Sequence, residues 1–178
     1  ICQDTGIVTV FVRVGMNVQW QGDMSLTDMI NEGVRRAYTH PDNVLRASIL
    51  SDPDGERKNT GDNTPAVIHY DIVPGDSVSI DVSAKGGGSE AKSKFAMLNP
   101  SDSIVDWVLK MVPTMGAGWC PPGILGIGIG GTAEKAMIMA KEALLDHIDI
   151  NELQAKGAEN RNEELRLELF EKVNALGI

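Results

Sequence analysis

Ala66-Val-Ile-His-Tyr-Asp-Ile-Val73 and Ser77-Val-Ser-Ile-Asp-Val-Ser-Ala84 are separated by Pro74-Gly75-Asp76. Both runs are rich in β-branched residues, and the second alternates apolar with polar at the two-residue period of a strand. Pro, Gly and Asp between them are turn residues. The stretch therefore predicts an antiparallel hairpin over 66–84. Toward the amino end, Ile7-Val-Thr-Val-Phe-Val-Arg13 is mostly apolar and reads as a buried strand. Gly15 ends it, and Val18 to Trp20 fits a short return strand.

Helical patterns surround these strands. Ser25 or Thr27 can cap a helix to about Tyr38, with Met29, Ile30, Val34 and Ala37 on one face and Pro41 as its stop. Asn99-Pro100-Ser101 opens another, striped by Ile104, Val105, Val108, Leu109 and Val112. Ile124 to Ile129 reads as a strand, Thr132 caps a helix to about Leu145, and a last helix covers about Asn160 to Ala175. The interleaving is irregular, and neither an internal repeat nor a βαβ series is visible. The expected fold is α+β, with a mixed, partly antiparallel sheet packed with helices in a single domain over 1–178.

The chain has 178 residues, 42% of them hydrophobic and 23% charged, ordinary values for a globular domain. Its formal net charge of −9 repels phosphate backbones and anionic lipid, so neither nucleic acid nor membrane is an expected partner. No apolar run approaches the roughly 20 residues that span a bilayer. No basic-then-apolar leader precedes the first strand, so a cytoplasmic location is expected. Ile1 in place of Met, and an end directly after a helical pattern, suggest a piece of a longer protein.

Four constellations could carry chemistry. Cys2-Gln3-Asp4-Thr5-Gly6 stands at the entrance of a buried strand; read by itself it is also a simple turn. Gly116-Ala-Gly-Trp-Cys-Pro-Pro-Gly123 sets Cys120 in a Gly- and Pro-dense loop, an unusual place for a structural thiol. Cys-Pro also recurs at iron–sulfur ligands, whereas zinc would want CxxC spacing or nearby histidines, and neither occurs. Lys85-Gly86-Gly87-Gly88-Ser89 can turn several backbone N–H groups toward an anion, or can be a flexible turn. Arg46, in Asn43-Val-Leu-Arg-Ala-Ser48, has a mostly apolar sequence context and suits either an internal carboxylate or a substrate carboxylate. Gly126, Gly128 and Gly131 match GxGxxG, but the first two interrupt the apolar run instead of following it. Close packing against a helix explains them better than a nucleotide does.

Taken in order, Ile1-Cys-Gln-Asp-Thr-Gly6, Ala84-Lys-Gly-Gly-Gly-Ser89, Trp119-Cys-Pro-Pro-Gly123 and Ile129-Gly-Gly-Thr132 resemble the class I fumarate hydratases and the related tartrate dehydratase alpha subunits. The resemblance places the chain in the cluster-binding amino-terminal, catalytic region of such an enzyme. It implies a [4Fe–4S] cluster held by three cysteines, two of them Cys2 and Cys120 and the third beyond residue 178. One iron without a protein ligand would then act as Lewis acid in the reversible hydration of fumarate to malate. The resemblance further implies that Gln3 and Asp4 contact the small dicarboxylate substrate, with Asp4 donating a proton to the departing hydroxyl. Arg46 and the backbone of Gly86, Gly87, Gly88 and Ser89 would hold a carboxylate. A homodimer is implied as well. Dehydration of tartrate or a related hydroxy-dicarboxylate remains an alternative, as does a non-catalytic subunit that completes a partner's site. The general base is left unassigned.

Overall fold

The computed structural model describes residues 6–119 and 122–178. The chain forms two compact units, Ile1–Ala91 and Lys92–Ile178. Sheet and helices together make the fold α+β, as the sequence predicts.

The first unit is built on strand β1 (Ile7–Gly15). It carries the densest run of β-branched residues, and it takes the centre of a three-stranded sheet. Strand β4 (Val67–Val73) lies parallel to one edge of β1, and β5 (Val78–Lys85) antiparallel to the other. Val8, Val10 and Val12 point to one face and are 3%, 1% and 1% exposed. Helix α1 (Leu26–Thr39) covers them, contributing Leu26, Ile30, Val34 and Tyr38. That is an i, i+4 stripe. Ala37, which the sequence places on the buried face, is exposed. Ser25 caps the helix by accepting the Asp28 N–H at 3.1 Å.

The structure corrects the hairpin predicted over 66–84. β4 and β5 do not pair with each other, because β1 lies between them. The connection through Gly75 (φ 115°) passes across the end of β1 instead. Gly15 N donates to Ser77 O at 2.9 Å and Met16 N to Val73 O at 2.9 Å. Gly15 permits the crossing, since a Cβ there would meet Gly75 O at 2.5 Å. Inserting β1 hydrogen-bonds both its edges and buries its valines, which a two-stranded ribbon could not do. Val18 to Trp20 forms no strand; a turn from Gly15 to Val18 replaces it. The long polar loop before β4 carries a two-residue ribbon, β2 (Leu50–Ser51) with β3 (Lys58–Asn59). On the other side, β5 leads into the single-turn helix α2 (Gly87–Glu90).

In the second unit, Ser103 caps α3 (Ile104–Met111), which continues into a 3-10 helix over Val112–Trp119, broken at Gly116. Helices α4 (Ala133–Glu142), α5 (Ile150–Lys156) and α6 (Arg161–Asn174) follow, with a 3-10 turn, Ala143–Leu145, after α4. Val105, Val108 and Val112 pack with Leu169 of α6 to form the core. Ile124 to Ile129 is not a strand. Leu125 and Ile127 enter that core, while Gly126 and Gly128 lie flat on α4. A Cβ at Gly126 would meet Ala140 O at 2.0 Å, and one at Gly128 would meet Ala136 O at 1.9 Å. The apparent GxGxxG is thus a helix-packing surface. Helix α5 escapes the sequence reading because its seven residues are too few to show a period. Its Asp149 cap, accepting from the N–H groups of Asn151 and Glu152, is the signal that marks it.

Candidate functional site

The segments that the sequence singles out in the first unit meet at Gly6. This residue holds φ 50°, a left-handed conformation that suits glycine. A Cβ on it would meet Lys85 O at 1.9 Å and Gly87 N at 2.6 Å. The residue that ends the Cys2–Gly6 motif therefore rests directly on the backbone of the Lys85–Ser89 motif. Its carbonyl accepts from Asn63 Nδ2 at 3.0 Å and from Ser48 Oγ at 3.3 Å. Asn63 is 0% exposed, and its Oδ1 also accepts the N–H groups of Ser48 at 2.8 Å and Ile49 at 3.3 Å. One amide side chain thus ties together the strand entrance, the Arg46–Ser48 segment and the long polar loop.

The sequence reading missed Asn63 and Ser48. The available signal was Asp62-Asn63-Thr64-Pro65, at the end of a loop too long to be an inert connection. Asp62 fixes this corner. It accepts from Thr64 Oγ1 at 2.7 Å and Thr64 N at 3.0 Å, and from Arg35 Nε at 3.1 Å. The Thr64 bonds, helped by the Arg35 guanidinium, hold its carboxyl below the usual aspartate value. Arg35 is raised in turn by Asp62 and Glu32.

Gly86, Gly87, Gly88 and Ser89 make the cap position and first residues of a single helical turn. Gly86 is the cap position of α2, whose first bonds run from Glu90 N to Gly86 O at 2.9 Å and from Ala91 N to Gly87 O at 3.0 Å. The amides of Gly87, Gly88 and Ser89 precede that ladder, as first-turn amides do. Ser89 Oγ accepts from Lys85 Nζ at 2.8 Å and donates to Gly86 O at 3.0 Å. Lys85 Nζ also lies 3.8 Å from Glu90 Oε2.

Arg46 is exposed, despite its apolar neighbours in sequence. Cys2, Gln3, Asp4 and Cys120 lie outside the described residues. Among the described residues, no three His, Cys, Asp or Glu side chains are grouped to hold a metal. The fit to a cluster rests on donor chemistry and backbone. Two soft thiols suit iron–sulfur ligation. Four residues after Cys2, the chain passes through a cradle that a Cβ would fill. Two thiols supply part of a ligand set, not all of it.

Among the described residues no helix is long and apolar enough to cross a membrane. Residues 1–178 match the family described as fumarate hydratase (Fumerase). The chain is 37% identical, over all of its length and 62% of the relative's, to a Methanocaldococcus jannaschii protein provisionally named L(+)-tartrate dehydratase subunit alpha. It is 34% identical to an Escherichia coli L(+)-tartrate dehydratase subunit alpha, covering 99% of this chain and 57% of that protein. A Shigella sonnei protein of the same name is 33% identical, with the same coverage. The chain thus spans about three fifths of the length of these curated relatives. With the match running from the first residue to the last, through every motif that meets at or flanks Gly6, this chain belongs to the fumarate hydratase (Fumerase) family.

Proposed function

We propose that this chain is the amino-terminal part of an iron–sulfur hydro-lyase acting on a four-carbon dicarboxylic acid. Family membership supports a hydro-lyase, and the pinning of Gly6 by Asn63 and the Lys85–Gly87 backbone carries the site assignment. The residue that ends the Cys2–Gly6 motif is held from two sides. In this reading Cys2 and Cys120 are two ligands of a [4Fe–4S] cluster, and the third thiolate comes from outside residues 1–178. When bound, the cluster supplies a Lewis-acidic iron that makes hydroxide a tolerable leaving group.

The chain's own residues do the rest of the work assigned here. Asp4 delivers the proton to the departing hydroxyl, and Gln3 orients the substrate beside it. Arg46 takes a substrate carboxylate in a two-pronged contact. The Gly87, Gly88 and Ser89 amides bind an anionic oxygen, each such charged hydrogen bond contributing about 1.5–3 kcal/mol. Water addition to fumarate is the first substrate reading. Dehydration of L(+)-tartrate is the second, favoured by the names of the relatives.

The test is anaerobic loading of the protein, extended to the length of its relatives, with iron and sulfide, followed by parallel assays on fumarate, malate and L(+)-tartrate. Turnover that appears with the cluster establishes the class, and the preferred acid decides between the two substrates. A loaded, folded protein that turns over none of them overturns the proposal.

A further inference from the structure

Helix α1 covers only part of the sheet face on which it packs. Cross-strand partners share a face, so Val82, Ile80 and Val78 of β5 stand beside Val10, Val12 and Val14 of β1 on the side that α1 occupies. Val10 and Val12 are buried there, yet Val78, Ile80 and Val82 are 36%, 49% and 61% exposed. The helix is tied to the other edge of the sheet. Thr27 Oγ1 lies 2.8 Å from Tyr70 Oη, the Ala66 N–H donates to Asn31 Oδ1 at 2.8 Å, and Arg35 reaches Asp62 just before β4. Thr27, Asn31 and Arg35 thus form the flank of α1 on the β4 side. At about 3.6 residues per turn, Met29, Gly33 and Ala37 fall on the opposite flank, toward β5. None of the three is polar, and Ala37, which the sequence places on the buried face, is exposed. β5 and this flank are the floor and wall of an apolar step, open among the described residues.

We propose that a helix of the same polypeptide, from outside residues 1–178, packs its apolar face into this step beside α1. The matched relatives are covered over 62% and 57% of their length, so a protein of their size has about two fifths of its chain to supply the helix. Packed helices lie about 8–10 Å apart and strands about 4.8 Å apart, which sets a neighbour of α1 over β5 and its free edge. A strand added to that edge would pair with backbone groups but leave the row of Val78, Ile80 and Val82 open. A second copy fits poorly, because a two-fold contact sets the same surface against itself, and two concave steps enclose a void. The row is uncharged, so it matches an apolar stripe and no charged segment. This inference concerns completion of the core and is independent of the hydro-lyase reading.

The experiment uses the protein at the length of its relatives and takes two readings. Carbene footprinting of the unsubstituted protein compares labelling of Ile80 and Val82 in the native and urea-unfolded states. With the helix in place, both should fall to about a tenth or less of the unfolded value, as at the buried core of an interface. Without it, the exposure of these side chains keeps labelling at about half. An equal mixture of isotopically light and heavy Ile80→photo-leucine chains is then photolysed and its cross-links are mapped. They should run within one chain, from position 80 to residues outside 1–178. Labelling at about half the unfolded value overturns the proposal. So do light-to-heavy cross-links, which make the occupant a second copy, and cross-links confined to residues 1–178, which put the cover within these residues.

Discussion

The Asn63 side-chain amide donates to the Gly6 carbonyl at 3.0 Å, across 57 positions of sequence, from a residue with no exposed surface. Its oxygen accepts two further backbone N–H groups, from Ser48 and Ile49. A buried amide in three hydrogen bonds is costly to remove, because each former partner is left desolvated and unpaired. Asn63→Ala also leaves a side chain with no stabilising bond at φ 59°. The expected loss is about 2–4 kcal/mol of stability. Urea unfolding checks it, and a loss below about 0.5 kcal/mol would show that the bridge is not a structural tie.

Gly6 and Gly33 make a matched pair of alanine substitutions. At Gly6 the new Cβ would meet Lys85 O at 1.9 Å with φ 50°, so strand entrance and glycine motif must separate. Gly6→Ala should lower stability by several kcal/mol, on the order of the large core and backbone effects. Gly33 sits inside α1 with nothing within 4 Å of its would-be Cβ. Gly33→Ala should raise stability by about 0.5–1 kcal/mol. Thermal melts of the two variants should move in opposite directions.

Acid should loosen the Asp62 corner. Its folded carboxyl titrates below the ordinary value of 3.8, chiefly through the Thr64 hydroxyl, with Arg35 assisting. A depressed carboxylate stabilises the fold fully above the unfolded value and loses that contribution as pH falls through the lower folded one. Stability should therefore drop from about pH 4 downward, and Asp62→Asn should flatten that part of the curve. Melting temperature measured against pH is the check, and identical acid limbs for the two proteins would remove Asp62 from the account.

How much of this was readable from the chain depends on range. Local patterns read well. The start of α1 near Ser25, the last helix from about Asn160, the β1 run and the stripe of α3 all form where the sequence puts them, because each depends on neighbours within a turn or a strand. Pairing did not read from local signals. Pro74-Gly75-Asp76 looks like a hairpin turn, yet the competition is decided by β1, more than 50 residues earlier, whose valines are best buried between two strands. Ile124 to Ile129 has strand-like alternation, but its glycines pair with the α4 backbone instead of a neighbouring strand. The site divides in the same way. The Gly-rich motif is visible at once, whereas Asn63 acts through side-chain bonds to distant backbone and leaves only a turn-like signature in its loop.

The central claim is that Cys2 and Cys120 hold a cluster, and iron content tests it most directly. The protein, extended to the length of its relatives, would be loaded anaerobically with iron and sulfide beside Cys2→Ser and Cys120→Ser. The account predicts about four iron atoms per chain and visible cluster absorbance in the unsubstituted protein, with both lost in each folded variant. Equal iron and an unchanged spectrum in the serine variants, or a folded unsubstituted protein that takes up no cluster, would contradict it.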